Sequence, residues 1–177
     1  MSRFQLIPFP GEATDGLAIH GEVAITQEGL AINYVVEGAL DGLVIPGPAA
    51  RPERRDNLWQ ATCLEFFLAR EGQPGYLEGN LSPSGHWNLY AFCGYRAGMR
   101  REEKVRSLTV HCHRHDRQLR LSTTVPLPEG GEAGTLRLGI AAILMGQDGL
   151  VSHWALAHPA PKPDFHTSAA FLLGLAQ

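Results

Sequence analysis

The chain has 177 residues, enough for one domain and short for two. Hydrophobic residues make up 44% and charged residues 19%, which supports a packed core and argues against disorder. A formal net charge of -3 gives no basic surface for phosphate, so no nucleic-acid partner is expected.

Twenty glycines and 12 prolines fall between short apolar runs, and helical periodicity is poor throughout. In chain order, Phe4 to Phe9 reads as an edge strand ended by prolines. His20 to Thr26 and Leu30 to Glu37 read as a hairpin. The Pro- and Arg-rich connection from Gly38 to Asn57 is long, as functional or mobile loops are. Thr62 to Ala69, Tyr76 to Leu81 and His86 to Phe92 follow, the last two joined by the turn Ser82-Pro83-Ser84-Gly85. Val105 to His113 and Gln118 to Val125 flank a turn at His115-Asp116-Arg117. Thr135 to Leu144 and Val151 to His158 flank Gly146 to Gly149, and Ala169 to Leu175 closes the chain. About ten strands with hairpin-length turns predict an all-β antiparallel sandwich of two packed sheets, one domain over residues 1–177.

Three cysteines, Cys63, Cys93 and Cys112, predict no disulfide framework and a reducing compartment. Met1 to Pro10 lacks the apolar stretch of a signal peptide, and no run approaches the roughly 18 apolar residues of a membrane helix. A soluble, cytoplasmic protein with no membrane partner is the expectation. The charge runs Arg51, Arg54, Arg55 and Arg96, Arg100, Arg101, Lys104 are interrupted by acids and read as solvated loops.

Side chains alternate across a strand. If Leu64, Phe66, Leu68, Leu77 and Leu81 face the core, then Glu65, Tyr76, Glu78 and Asn80 share the outer face. Trp87, Asn88 and Tyr90 come from the next strand with parity open. Carboxylates, an amide and aromatic rings suit a saccharide, since rings cover the C–H face of a pyranose and the polar groups bind hydroxyls. The competing reading is an ordinary solvated sheet face. Glu65 and Glu78 also resemble a glycosidase carboxylate pair, but nothing in the spacing sets their separation.

His111, His113 and His115 share a strand parity that suits zinc, yet Leu108, Val110 and Cys112 hold the opposite, apolar parity, so the histidines face solvent. In the stretch from His153 to His166, three prolines prevent a helix. There His158, Lys162, Asp164 and His166 could converge on a ligand, or the stretch is a rigid loop with Trp154 in the core. Whether any metal binds stays open. No nucleophile elbow, P-loop or dinucleotide fingerprint is present, and no catalytic residue is assigned.

The string Arg55-Asp56-Asn57-Leu58-Trp59-Gln60-Ala61-Thr62-Cys63-Leu64-Glu65-Phe66-Phe67 resembles the bacterial DOMON-like proteins. So do Tyr76, Glu78, Asn80, Ser82, Pro83, Gly85 and Trp87 in the next block, and Gly94, Tyr95, Arg96, Gly98 and Met99 after it. The closing strings are Trp154 to Leu156, His158 and Pro159, then Lys162 to His166. Gly79 departs from the pattern, where a bulky aromatic is usual, and predicts a local gap on the buried face. The resemblance implies a β-sandwich related to family-9 carbohydrate-binding modules and to DOMON domains, relatives of which bind sugars or b-type haem. A haem reading would use Met99 with His158 or Lys162 as axial ligands. A third reading is a protein-interaction module with no small ligand.

The favoured expectation is a non-enzymatic, ligand-binding sandwich for a saccharide or similar polar small molecule, without a cofactor. Its site residues are Trp59, Glu65, Tyr76, Glu78, Asn80, Arg96, His158, Lys162, Asp164 and His166. The carboxylates and Asn80 would take hydroxyls, Arg96 and Lys162 an acidic group, and Trp59 would stack.

Overall fold

A computed structural model describes residues 1–14, 16–127 and 135–176. Twelve strands form among them: β1 (Ser2–Pro8), β2 (Ala18–Thr26), β3 (Gly29–Glu37), β4 (Cys63–Arg70), β5 (Tyr76–Leu81), β6 (Trp87–Phe92), β7 (Arg100–Arg101), β8 (His111–His115), β9 (Gln118–Val125), β10 (Thr135–Met145), β11 (Val151–Ala155) and β12 (Leu173–Ala176). Every ladder between them is antiparallel. The fold is an all-β sandwich. One sheet runs β1-β2-β3-β9-β8 and the other β7-β6-β5-β4-β10-β11-β1, with β12 also on β10. No helix of the described residues is long and apolar enough to cross a membrane.

The first strand is not an edge. Ser2 to Leu6 pair with β2, whereas Ile7 and Pro8 pair with β11, so β1 passes from one sheet into the other. Phe4 and Leu6 point inward on alternate positions, as a period of two requires. Pro8, with no N–H to donate, sits where the strand ends.

The core lies between the sheets. Leu64, Phe66, Leu68, Leu81, Trp87 and Leu89 face Ile19, Leu30, Ile32, Tyr34, Val36 and Leu121 across it. The gap expected at Gly79 is absent. Phe66 stands directly opposite Gly79, and a Cβ built there would lie 1.9 Å from the Phe66 ring. The glycine gives its space to its cross-strand neighbour. Phe4 on Gly21 repeats the device, with an added Cβ 2.5 Å from that ring.

Several segments differ from expectation. Val105 to Val110 form no ladder, although Val105, Leu108 and Val110 are buried, and pairing begins at His111. The connection from Gly38 to Asn57 is anchored rather than free. Val44 donates to the Met145 carbonyl at 2.7 Å, Ala49 to that of Ser84 at 2.9 Å and Arg55 to that of Trp87 at 2.9 Å. Arg54 is not a solvated charge: its guanidinium lies 4.4 Å from the Trp87 ring centre and donates to the carbonyls of Glu102 and Val105. Arg100 and Arg101 form β7 on the edge of β6 instead of a loop. The closing expectations also shorten. β11 ends at Ala155, and Ser168–Ala170 is a 3-10 turn before β12.

Candidate functional site

Register fixes the outer face of the second sheet. Across β11, β10, β4, β5 and β6, one row reads Ala155, Ala141, Glu65, Asn80, Asn88. The next reads Gly139, Phe67, Glu78, Tyr90, Arg101, and the one after places Tyr76 between Ala69 and Phe92. The parity left open on β6 is settled: Trp87 and Leu89 join the core, while Asn88 and Tyr90 face outward.

This face is not solvated. A second hydrophobic cluster covers it, with Phe67, Tyr76, Tyr90 and Phe92 from the sheet under Phe165, Ala170 and Phe171 from the closing segment. Phe67 stacks on Phe171 with ring centres 5.8 Å apart, and Tyr76 on Phe92 at 4.8 Å. Gly139 makes room for Phe171, whose ring would lie 2.6 Å from an added Cβ. Burying each such ring stabilises the cover by about 1.5–3 kcal/mol. Residues 158–166 form no helix, as expected, and bend at 160–162 and 165, and the segment returns over the sheet with Phe165 and Phe171 against it.

Between cover and sheet lies a cleft of about 380 Å³ lined by Trp59, Glu65, Glu78, Phe92, Arg96, Met99, Ile143, His153, Pro163, Phe165 and His166. Five of the ten expected residues line it: Trp59, Glu65, Glu78, Arg96 and His166. Three more support it from behind. The Tyr76 hydroxyl accepts the Arg96 N–H at 3.2 Å and lies 2.7 Å from His166 Nδ1, which leaves it free to donate its own proton there. That directs the His166 Nε2–H toward Glu78, whose Oε2 is 3.8 Å away. Asn80 donates to Glu78 Oε1 at 2.7 Å. Asp164 accepts from Tyr95 Oη at 2.6 Å, Arg96 at 3.0 Å and the His166 N–H at 3.1 Å.

The turn that carries Arg96 explains its string of residues. Gly94 and Ala97 bridge each other, Arg96 takes φ 50° and Gly98 φ 64°. A Cβ at Gly98 would meet the Cys93 sulfur at 2.6 Å. The backbone thus turns tightly enough to lay Tyr95 and Arg96 on Asp164.

Two expected residues lie elsewhere. His158 packs edge-on against Phe9 and its Nε2 lies 3.0 Å from the Ile7 carbonyl. Lys162 is exposed and does not line the cleft. The axial pairs suggested for haem are therefore not assembled. Met99 lines the cleft without either partner, and Glu65, Glu78 and Arg96 in its walls do not make the apolar pocket a haem needs. His111, His113 and His115 are exposed, and no group of three or more potential ligands among the described residues could hold a metal ion.

Phe92, Met99, Ile143, His153, Pro163 and Phe165 were not among the expected site residues. Alternation from Tyr90 pointed to Phe92. Ile143 and His153 sit opposite each other on β10 and β11, which only the order of strands in the sheet reveals.

Burial dominates the electrostatics. Glu65 is 3% exposed and Glu78 5%. Desolvation, reinforced by the neighbouring Glu78, holds the Glu65 carboxyl well above the usual carboxylate range. Glu78 is raised by desolvation too, against Asn80 and Arg96, which lower it. Desolvation and the Arg96 charge depress His166 to about 4, so its ring is neutral at pH 7. Asp164 is held below its usual value because its hydrogen bonds and Arg96 outweigh its burial.

No protein-family model matches the chain, and no curated protein is similar to it. Solved structures do match. A protein from Bacteroides uniformis proposed to bind carbohydrate aligns with a TM-score of 0.65 at 16% identity, covering 99% of this chain and 85% of that one. The chain has the fold of a family-9 carbohydrate-binding module. One such module from Caldicellulosiruptor kristjanssonii, in complex with cellotriose, aligns with a TM-score of 0.63 at 11% identity over 97% of this chain and 80% of that one. A module of the same family and organism in complex with glucose gives 0.55 at 10% identity, over 93% and 78%.

Proposed function

We propose that the protein binds a saccharide in the cleft between the outer sheet face and the closing segment, and acts as a binding module. The observation that carries this reading is the lining: a half-buried indole, Trp59, beside buried carboxyls and an arginine in a ligand-sized concavity. Rings take the C–H face of a sugar, and fixed donors and acceptors take its hydroxyls. The Glu78 carboxyl and His166 Nε2–H supply an acceptor and a donor side by side, held by Asn80 and Tyr76. Saccharides bound to modules of the same fold support the reading.

Concavity disfavours the interaction-module reading, which would use a flat or convex face.

Trp87 and Trp154 are buried in the core, whereas Trp59 borders the cleft. Titrating oligosaccharides while following tryptophan emission therefore reads the cleft directly. A saturable change that disappears in Trp59→Phe is expected. A change that survives unaltered in that variant would refute this location.

A further inference from the structure

We propose that the saccharide preferred by this cleft carries a free, protonated amine, seated between Glu65 and Glu78. This rests on the saccharide reading and names its ligand class.

Arg96 is the one arginine or lysine in the cleft lining, and it is already paired with Asp164 at 3.0 Å. His153 also lines the cleft, but its Nδ1 lies 2.8 Å from the Glu12 carboxylate. Among the described residues neither acid is ion-paired with an arginine or lysine, and the Arg96 charge acts on Glu78 only at a distance. Glu78 has Asn80 on one oxygen, and its other oxygen stands 3.8 Å from a neutral imidazole, beyond hydrogen-bond reach. Glu65 is more exposed to this deficit. It is 97% buried by area and lines the cleft, yet among the described residues no N–H or O–H donor reaches its carboxyl. Its weak neighbour is the thiol of Cys63 on the same face. A buried acid aimed into a cavity without a donor is a costly arrangement unless a ligand completes it.

Register places the pair suitably. Glu65 stands opposite Asn80 and Glu78 opposite Phe67, so the two acids are diagonal neighbours on adjacent strands. Such positions are roughly 7–8 Å apart, a span that one ammonium, with three donors, can bridge. Trp59, Phe92 and Phe165 around them suit the C–H bonds of a ring and the cation at once. An acetylated amine or a hydroxyl offers hydrogen bonds without the charge.

Protonation gives an independent readout. Facing the two acids are Cys63 on β4, Tyr76 on β5, Tyr90 on β6, Arg96 of the turn, Asp164 and His166 of the closing segment, and His153 with Glu12 behind it. Arrival of an ammonium favours ionised Glu65 and Glu78 over their protonated forms, so binding releases protons from the protein.

The test is calorimetry of the full chain at pH 7 in buffers of unlike ionisation heat. Glucosamine oligomers are compared with their N-acetylated forms, with plain glucose oligomers and with spermidine. Glucosamine oligomers should bind on the order of tenfold or more tighter than the neutral sugars, with proton release, and Glu65→Gln or Glu78→Gln should erase the preference. Equal or tighter binding of neutral sugars overturns this inference and leaves the saccharide reading intact. Spermidine binding with no saccharide bound, or no binding at all, overturns both. The ligand comparison on the native protein decides the matter even if a variant folds poorly.

Discussion

Two acids and one histidine set the behaviour of the cleft at the scale of single residues. The carboxyls of Glu65 and Glu78 are raised in the fold, so their contribution to stability is complete below their unfolded value and is lost as pH rises. His166 works in the other direction. Its fold contribution is complete above 6.5 and is lost as pH falls toward about 4. Glu65→Gln, which removes the unionised requirement and the repulsion with Glu78, should raise stability at pH 8 by about 1 kcal/mol. Thermal melts from pH 5 to pH 9 would show a shallower alkaline decline in that variant; an unchanged slope would contradict the placement of Glu65. His166→Gln should instead flatten the decline between pH 6.5 and pH 4. Of the expected site residues, Glu65, Glu78 and Asn80 were legible because strand alternation put them on one face. His158 and Lys162 lie outside the cleft for a different reason. A proline-rich segment has no period, so nothing in it says which side chain turns inward.

At the scale of elements, paired glycines and aromatics shape the sheet and its cover. Gly79→Ala drives a methyl group into the Phe66 ring and should cost about 1–3 kcal/mol, read as a lower urea midpoint with an unchanged m value. Phe171→Ala removes the ring that lies on Phe67 and Tyr76. It should cost about 3–5 kcal/mol and quicken proteolytic cutting near Pro161 to Pro163. Equal cutting rates at matched stability would separate a general loss of stability from release of the cover. Most strands were readable because Gly and Pro punctuate runs with a period of two. The exceptions share a cause. β1 divides between two sheets, β7 spans two residues and Val105 to Val110 run buried but unpaired. Each depends on partners distant in sequence, which local pattern does not encode.

For the whole molecule, the sandwich leaves one sheet face to be covered by the segment after β11. That cover leaves a cleft lined by Trp59 and His166 among others, the site proposed to take a saccharide. The strand order β6-β5-β4-β10-β11 assembles the floor from segments far apart in the chain. That is why Ile143 and His153 escaped the sequence reading although the carboxylates did not. A core-facing substitution such as Leu89→Ala should lower stability with little change in ligand affinity at temperatures where the protein stays folded. A cleft substitution should do the reverse.

Saccharide binding in the cleft is tested by calorimetric titration of an oligosaccharide panel, amino and neutral sugars together, into the native protein and Trp59→Ala side by side. Saturable binding of at least one saccharide to the native protein is expected. Affinity on the order of tenfold or more weaker is expected in the variant, because an aromatic anchor is lost from the cleft. Full binding by Trp59→Ala, or no saccharide bound by the native protein, would contradict saccharide binding in the cleft.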